Sequence, residues 1–167
     1  MRVLVIAPHP DDEVLGCGGA IIKHVRRRDE VHIRILTDGA TGRGNEAFRE
    51  TLRENAISCC EKLGAASVEF SDLPNQRLDA VPVMDIILPI EAYISDLKPY
   101  RVYTHHVGDL NVDHQRTHLA TMTATRPLSG VCVKEVYSYF VLSSTEWYQT
   151  RPENVFIPNV FIDIKDV

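Results

Sequence analysis

The chain has 167 residues, 44% hydrophobic and 25% charged, with a formal net charge of -5. That length suits one domain with a real core and no need of disulfides, and the acidic balance argues against a nucleic-acid partner, which needs clustered Lys and Arg. No stretch has the length and apolarity of a membrane span and the N-terminus lacks a signal-peptide pattern, so a cytoplasmic protein is expected.

Residues 2 to 7, with the core Val3-Leu4-Val5-Ile6, read as a buried strand. It runs into Ala7-Pro8-His9-Pro10-Asp11-Asp12-Glu13, an imidazole and three carboxylates at a strand end. Acids at a helix start can be caps that answer free amides and the helix dipole. Capping accounts for one or two acids, but not for a histidine held between two prolines. A divalent metal accounts for the whole group, because His nitrogen and carboxylate oxygen are ordinary zinc ligands and a free carboxylate can take a proton from water.

A helix over 12 to 28 follows, with Gly16-Cys17-Gly18-Gly19 reading as close helix packing and Arg26-Arg27-Arg28 at its end. Residues 31 to 37 predict the second strand. Asp38, just beyond it, is placed either to cap the loop or to accept the spare N–H of a ligand histidine. Arg43, between Gly42 and Gly44, reads equally as a phosphate or sugar contact and as a surface arginine. A helix over 46 to 63 stops at Gly64. Cys59 and Cys60 on it, like Cys17 and Cys132, have neither zinc-ribbon nor CxxC spacing, and the adjacent pair reads as small core residues.

Val68 to Phe70 predicts a short strand, and Asn75-Gln76-Arg77 a loop that can meet a sugar. A helix over 83 to 97 stops before Pro99, and Arg101 to His105 forms a further strand ending in Thr104-His105-His106. The run from Asp109 to His118 resembles a calcium loop at its start, but His114 and Ala120 stand where that loop needs Gly and Glu. It reads instead as a loop and a helix from about 113 to 124 that presents His114. His118, one turn on, is a ligand, a substrate contact or a packed histidine. Arg126 has the same two readings as Arg43. Strand-like stretches are expected at 133 to 142 and 155 to 164. Trp147 and Tyr148 are candidates for a pyranose platform or for core.

Strands alternating with helices give an α/β, Rossmann-like class: a mostly parallel sheet between two helical layers. The segments after the first, second and later strands then share the edge where ligands bind such sheets. A dinucleotide is disfavoured, because Asp11, Asp12 and Glu13 occupy the place where its pyrophosphate would lie. His9, His114 and one of Asp11 and Asp12 give three metal donors with a position left for water, and the other aspartate is a base.

These residues resemble the PIG-L, or LmbE-like, zinc-dependent N-deacetylases. The likeness rests on Pro8-His9-Pro10-Asp11-Asp12-Glu13 and Asp113-His114, with Arg53-Glu54-Asn55-Ala56, Cys59-Cys60 and Leu63-Gly64 between them. The resemblance implies one zinc ion on His9, Asp12 and His114, Asp11 as general base, and removal of acetyl from an N-acetylglucosamine-type amino sugar, glycolipid or conjugate. It implies a substrate contact for Arg53, and Asn75 and its neighbours join Arg43 and Arg126 as further candidates. Several relatives carry a histidine where Asn111 stands here. An amide can donate to an oxyanion but cannot deliver a proton, so Asp11 or His106 would supply the acid, and His106 and Asn111 are the oxyanion candidates. Relatives usually continue past the 161 to 164 stretch into a helical segment, so a truncated or minimal form is expected here. A homo-oligomer is compatible with this reading. The rival readings are a metal-containing glycan or nucleotide-sugar binder without turnover, and an assembly subunit whose acids are caps.

Overall fold

The structure is a computed structural model. It describes all 167 residues except Asn45, Ser129, Val131, Cys132, Ser143 and Thr150, and the side chains of Arg43 and Glu46. Five strands, β1 (Arg2–Ala7), β2 (Glu30–Thr37), β3 (Ser67–Leu73), β4 (Arg101–His105) and β5 (Glu135–Tyr139), form one sheet in the order β3-β2-β1-β4-β5. Every pairing is parallel. Four helices join them: α1 (Asp12–Arg26), α2 (Arg49–Leu63), α3 (Val83–Leu97) and α4 (Val112–Ala124).

The central strand explains the layering. Val3, Leu4, Val5 and Ile6 are fully buried, as a strand covered on both faces requires. Because side chains alternate along a strand, Val3 and Val5 join Cys17, Ile21, Ala56 and Cys60 of α1 and α2. Leu4 and Ile6 face the other way, into Ile86, Ile90 and Ile94 of α3 and Ala120 and Ala124 of α4. Each such large side chain removed from water contributes about 1.5–3 kcal/mol. The three-layer α/β/α sandwich expected from the alternating pattern is therefore present.

The chain leaves β1 toward β2 on one side and returns to β4 on the other, which makes the β1–β4 boundary the topological switch point where such sheets bind ligands. The loops after β1 and β4 meet there. The end of β2 steadies the first of them, since the amide of Thr37 donates to the Pro8 carbonyl at 2.9 Å and its hydroxyl does so at 2.7 Å.

Punctuating residues act where the sequence places them. Gly64 ends α2 at φ 81°, in the left-handed region, and Lys98 ends α3 at φ 52° immediately before Pro99. One expected element is absent: the described residues of 155 to 164 pair with no strand. Pro158 within that run lacks an N–H to donate to a ladder. The segment instead lies along α1, with Ile164 against Gly19 and Asp166 paired to Lys23 at 2.5 Å. No helix among the described residues is long and apolar enough to cross a membrane.

Candidate metal centre

The site is assembled from the two loops at the switch point. His9 lies in the β1–α1 turn, which is drawn tight by the Asp11 amide donating to the His9 carbonyl at 3.0 Å. Asp12 opens α1 and is buried. Across the switch point, Asn111 caps α4 by accepting the Asp113 amide at 2.9 Å, and this presents His114 in the first turn.

These elements converge three donor atoms. His9 Nδ1 lies 3.0 Å from Asp12 Oδ2, His114 Nε2 lies 3.3 Å from the same oxygen, and the two nitrogens are 3.3 Å apart. Donors about 2.0–2.1 Å from one tetrahedral ion lie about 3.3 Å from each other. The donor set therefore fits a small divalent ion, with two imidazoles and one carboxylate of the kind zinc accepts. Nitrogen and oxygen donors also accept other divalent metals.

Each of the two histidines turns its second nitrogen to a buried carboxylate. His9 Nε2 is 3.1 Å from Asp113 Oδ2, and His114 Nδ1 is 3.0 Å from Asp109 Oδ2. Such partners fix the tautomer and ring orientation of metal-bound histidines and raise their basicity. Gln76 closes the far side of His9, with Nε2 at 3.2 Å from His9 Nε2 and its own amide donating to Asp113 at 2.7 Å. A third histidine, His105 at the end of β4, stacks on His114 with ring centroids 3.8 Å apart, and its Nε2 is 3.5 Å from Asp12 Oδ2.

The electrostatics favour a cation at this place. Burial opposes charge on His9 and His114, but hydrogen bonds and charge from Asp113 and Asp12, and from Asp109 and Asp12, outweigh it and raise both imidazoles to about 9. Burial also opposes charge on Asp12, yet His105, His114 and His9 hold its carboxyl well below the usual range. Asp11 behaves in the opposite sense: burial and the neighbouring Asp12 charge raise its pKa, against His9 and His114. It stands at the N-cap of α1 without making a capping hydrogen bond, so its carboxylate is not consumed by the helix end. Glu13, the last acid of the run, turns away to the α2 side at 3.9 Å from Cys60 Sγ, and burial pushes its pKa to about 7.

The other sequence candidates separate cleanly. His106, the residue after β4, accepts the Gly108 amide at 3.0 Å and meets the Phe156 ring edge-on, so its ring is engaged away from the donor triangle. Arg53 pairs with Asp72 at 2.8 Å and lies over Phe70, spent on the outer strand β3. Arg126 follows the thirteen-residue α4 at its far end, about 18 Å from the turn that carries His114, and binds Glu91 at 3.0 Å. Asn75 is buried beneath the rim, where its carbonyl packs against Gly42, and the adjacent Gln76 is the residue that reaches His9. Asp38 caps its own loop by accepting the Ala40 and Thr41 amides at 2.9 and 3.0 Å. His118 is a packed histidine, bonded to the His105 carbonyl at 2.8 Å. The Arg43 side chain, Cys132 and Ser143 lie outside the described residues.

Comparison with known proteins matches residues 4–125 to the family described as PIG-L: GlcNAc-PI de-N-acetylase. An "uncharacterized deacetylase YaiS" of Escherichia coli K12 is 26% identical over 92% of this chain and 84% of its own. A probable N-acetyl-alpha-D-glucosaminyl L-malate deacetylase 2 of Bacillus subtilis is 30% identical over 68% of this chain, which spans 55% of that protein. Among solved structures, the 4-carboxy-2-hydroxymuconate hydratase GalB of Pseudomonas putida KT2440 superposes with a TM-score of 0.67 at 26% identity, covering 74% of this chain and 55% of its own. The family match spans β1 through α4 and so contains every donor of the centre: this chain belongs to the PIG-L family.

Proposed function

We propose that the chain is a metal-dependent N-deacetylase that cleaves the acetamide of an N-acetylglucosamine-type amino sugar to a free amine and acetate. The observation that carries this reading is the triangle of His9, Asp12 and His114 with Asp11 beside it, a carboxylate that neither caps its helix nor shares the donor triangle. The family description and the Bacillus relative's name both specify an N-acetylglucosamine unit.

In this mechanism His9, Asp12 and His114 hold the ion, with Asp113 and Asp109 fixing the two rings. A zinc ion, when bound, supplies Lewis acidity that acidifies water and polarises an amide carbonyl. Asp11 takes a proton from the attacking water as the new C–O bond forms. Its raised pKa moves it toward the working pH, as a general base and acid requires. The same carboxyl then returns that proton to the departing nitrogen as the C–N bond breaks, so the amine and acetate leave with the elements of one water. This route needs no proton from Asn111, whose side chain caps α4, and none from His106.

A second reading comes from the neighbour named a 4-carboxy-2-hydroxymuconate hydratase. The two separate in one experiment. Acetate release is measured from a panel of N-acetylglucosamine compounds, and hydration from 4-carboxy-2-hydroxymuconate, an unsaturated hydroxy tricarboxylate, with zinc-loaded wild type and Asp11→Asn at matched metal content. Acetate release that falls by roughly 10²–10⁴-fold in the variant establishes the deacetylase. Hydration without acetate release supports the second reading, and metal uptake with neither activity supports a binding protein.

A further inference from the structure

We propose that Ser144 and Thr145 are positioning residues for His114, acting through Asp109, so that the loop after β5 sets how firmly the centre holds its ion. The proposal rests on the reading of His9, Asp12 and His114 as metal donors. Asp109 is fully buried, and each of its oxygens is occupied from a defined direction. Oδ1 accepts the Asn111 amide at 2.8 Å. Oδ2 faces His114 Nδ1 at 3.0 Å and accepts the hydroxyls of Thr145 at 2.8 Å and Ser144 at 3.0 Å.

The two hydroxyls are themselves fixed. The Leu110 amide donates to the Ser144 carbonyl at 3.0 Å, which ties the β4–α4 loop directly to Ser144. Thr145 Oγ1 also accepts the Val141 amide at 3.1 Å, so its proton is directed to Asp109. Ser144 Oγ is 3.4 Å from His114 Nδ1 and flanks the ring as well as the carboxylate. Among the described residues, loss of these hydroxyls would leave the Asn111 amide to set the plane of Asp109, and the oxygen that orients His114 could rotate off the imidazole. Trp147, two residues on and 70% exposed, places a solvent-facing aromatic on the segment that makes this brace.

The test measures metal binding rather than turnover. Cobalt(II) is titrated into metal-stripped wild type, Ser144→Ala, Thr145→Ser and Ser144→Ala/Thr145→Val, following affinity and the visible absorption of the loaded ion. The double variant is expected to lose about tenfold in affinity, the lower end of what outer partners of ligand histidines contribute, and to shift the cobalt spectrum. Thr145→Ser, which keeps the hydroxyl, is expected to match wild type. Ser144→Ala leaves the Val141 clamp intact and is expected to show a smaller loss in the same direction, so the proposal stays testable if the double variant folds poorly. The same changes are then made with Asp109→Asn, where they should have no further effect. Unchanged affinity and spectrum in the double variant overturn the proposal, as does an undiminished loss in the Asp109→Asn background. Wild type that takes up no cobalt overturns the metal reading itself, a result distinct from both.

Discussion

Asp113 has both carboxylate oxygens engaged, and its partners come from two distant parts of the chain. Oδ1 accepts the Leu78 amide at 3.0 Å, while Oδ2 accepts the Gln76 amide at 2.7 Å and holds His9 Nε2 at 3.1 Å. Asp113→Ala leaves two backbone amides and an imidazole without their acceptor. We expect a stability loss of about 2–4 kcal/mol by urea denaturation and weaker metal binding, with Asp113→Asn losing about half as much. A loss in the alanine variant below about 0.5 kcal/mol, the scale of an ordinary surface change, would show that water replaces the carboxylate. The cluster of His9 with Asp11 and Asp12 was legible in sequence because a prolyl-histidine and adjacent aspartates at a buried strand end have few structural uses, although the residues alone left open which aspartate joins the two histidines. Their supports were not legible. Asp113 adjoins His114 yet serves His9, 104 residues away, a pairing that only the folded sheet creates. His105 was recoverable by parity, since it lies two residues from buried Tyr103 on the same face of β4, while the sequence reading favoured His106 on the other face.

Helix α1 shows an element whose packing outweighs its own propensity. A glycine inside a helix normally costs about 1 kcal/mol relative to alanine, so Gly16→Ala would ordinarily stabilise. Here an added Cβ would fall 2.2 Å from Cδ2 of Tyr139, a buried ring whose hydroxyl donates to the Ile6 carbonyl at 3.3 Å. The ring cannot swing aside as a surface side chain would. We expect Gly16→Ala to destabilise by about 1–3 kcal/mol, measured as a lower urea midpoint, and Gly18→Ala, whose nearest neighbour is Val14 at 3.6 Å, to be neutral or stabilising. Equal effects at the two positions would remove the packing argument. Reading Gly16-Cys17-Gly18-Gly19 as close helix packing was sound, although the sequence did not say which glycine touches what. Boundaries were legible where punctuation is strong: α3 and β4 run over the expected residues because Pro99 and the β-branched run leave little choice. Residues 155 to 164 have the apolar character of a strand, but strand formation needs a partner edge and donors along it, and Pro158 interrupts the donors.

At the scale of the whole molecule the sheet is tied at both ends, by the donor cluster at the carboxyl ends of its strands and by a second polar network at the other. There His24 of α1 places Nδ1 2.8 Å from Asp29 and Nε2 3.0 Å from the Tyr103 hydroxyl of β4. The N-terminal ammonium reaches the other Asp29 oxygen at 2.5 Å. Exposed pairs such as Arg2 with Glu30 add little to this, because solvent screens them. Asp29 differs in having a side chain only 8% exposed. Burial pushes its pKa up, but the hydrogen bonds from His24 and the N-terminal ammonium prevail and leave it lowered. A carboxyl depressed on folding contributes stability that is fully present above its unfolded pKa of about 3.9 and is lost as pH falls through the folded value. Asp29→Asn should therefore cost about 1.5–3 kcal/mol at pH 7, the range for hydrogen bonds to a charged group. The gap between variant and wild type should narrow toward pH 3, as wild type loses an advantage the variant never had. Other carboxylates titrate in both proteins and cancel in the comparison. Urea unfolding of the pair at the two pH values reads the difference directly, and a gap that stays constant would mean that Asp29 acts by shape rather than by charge.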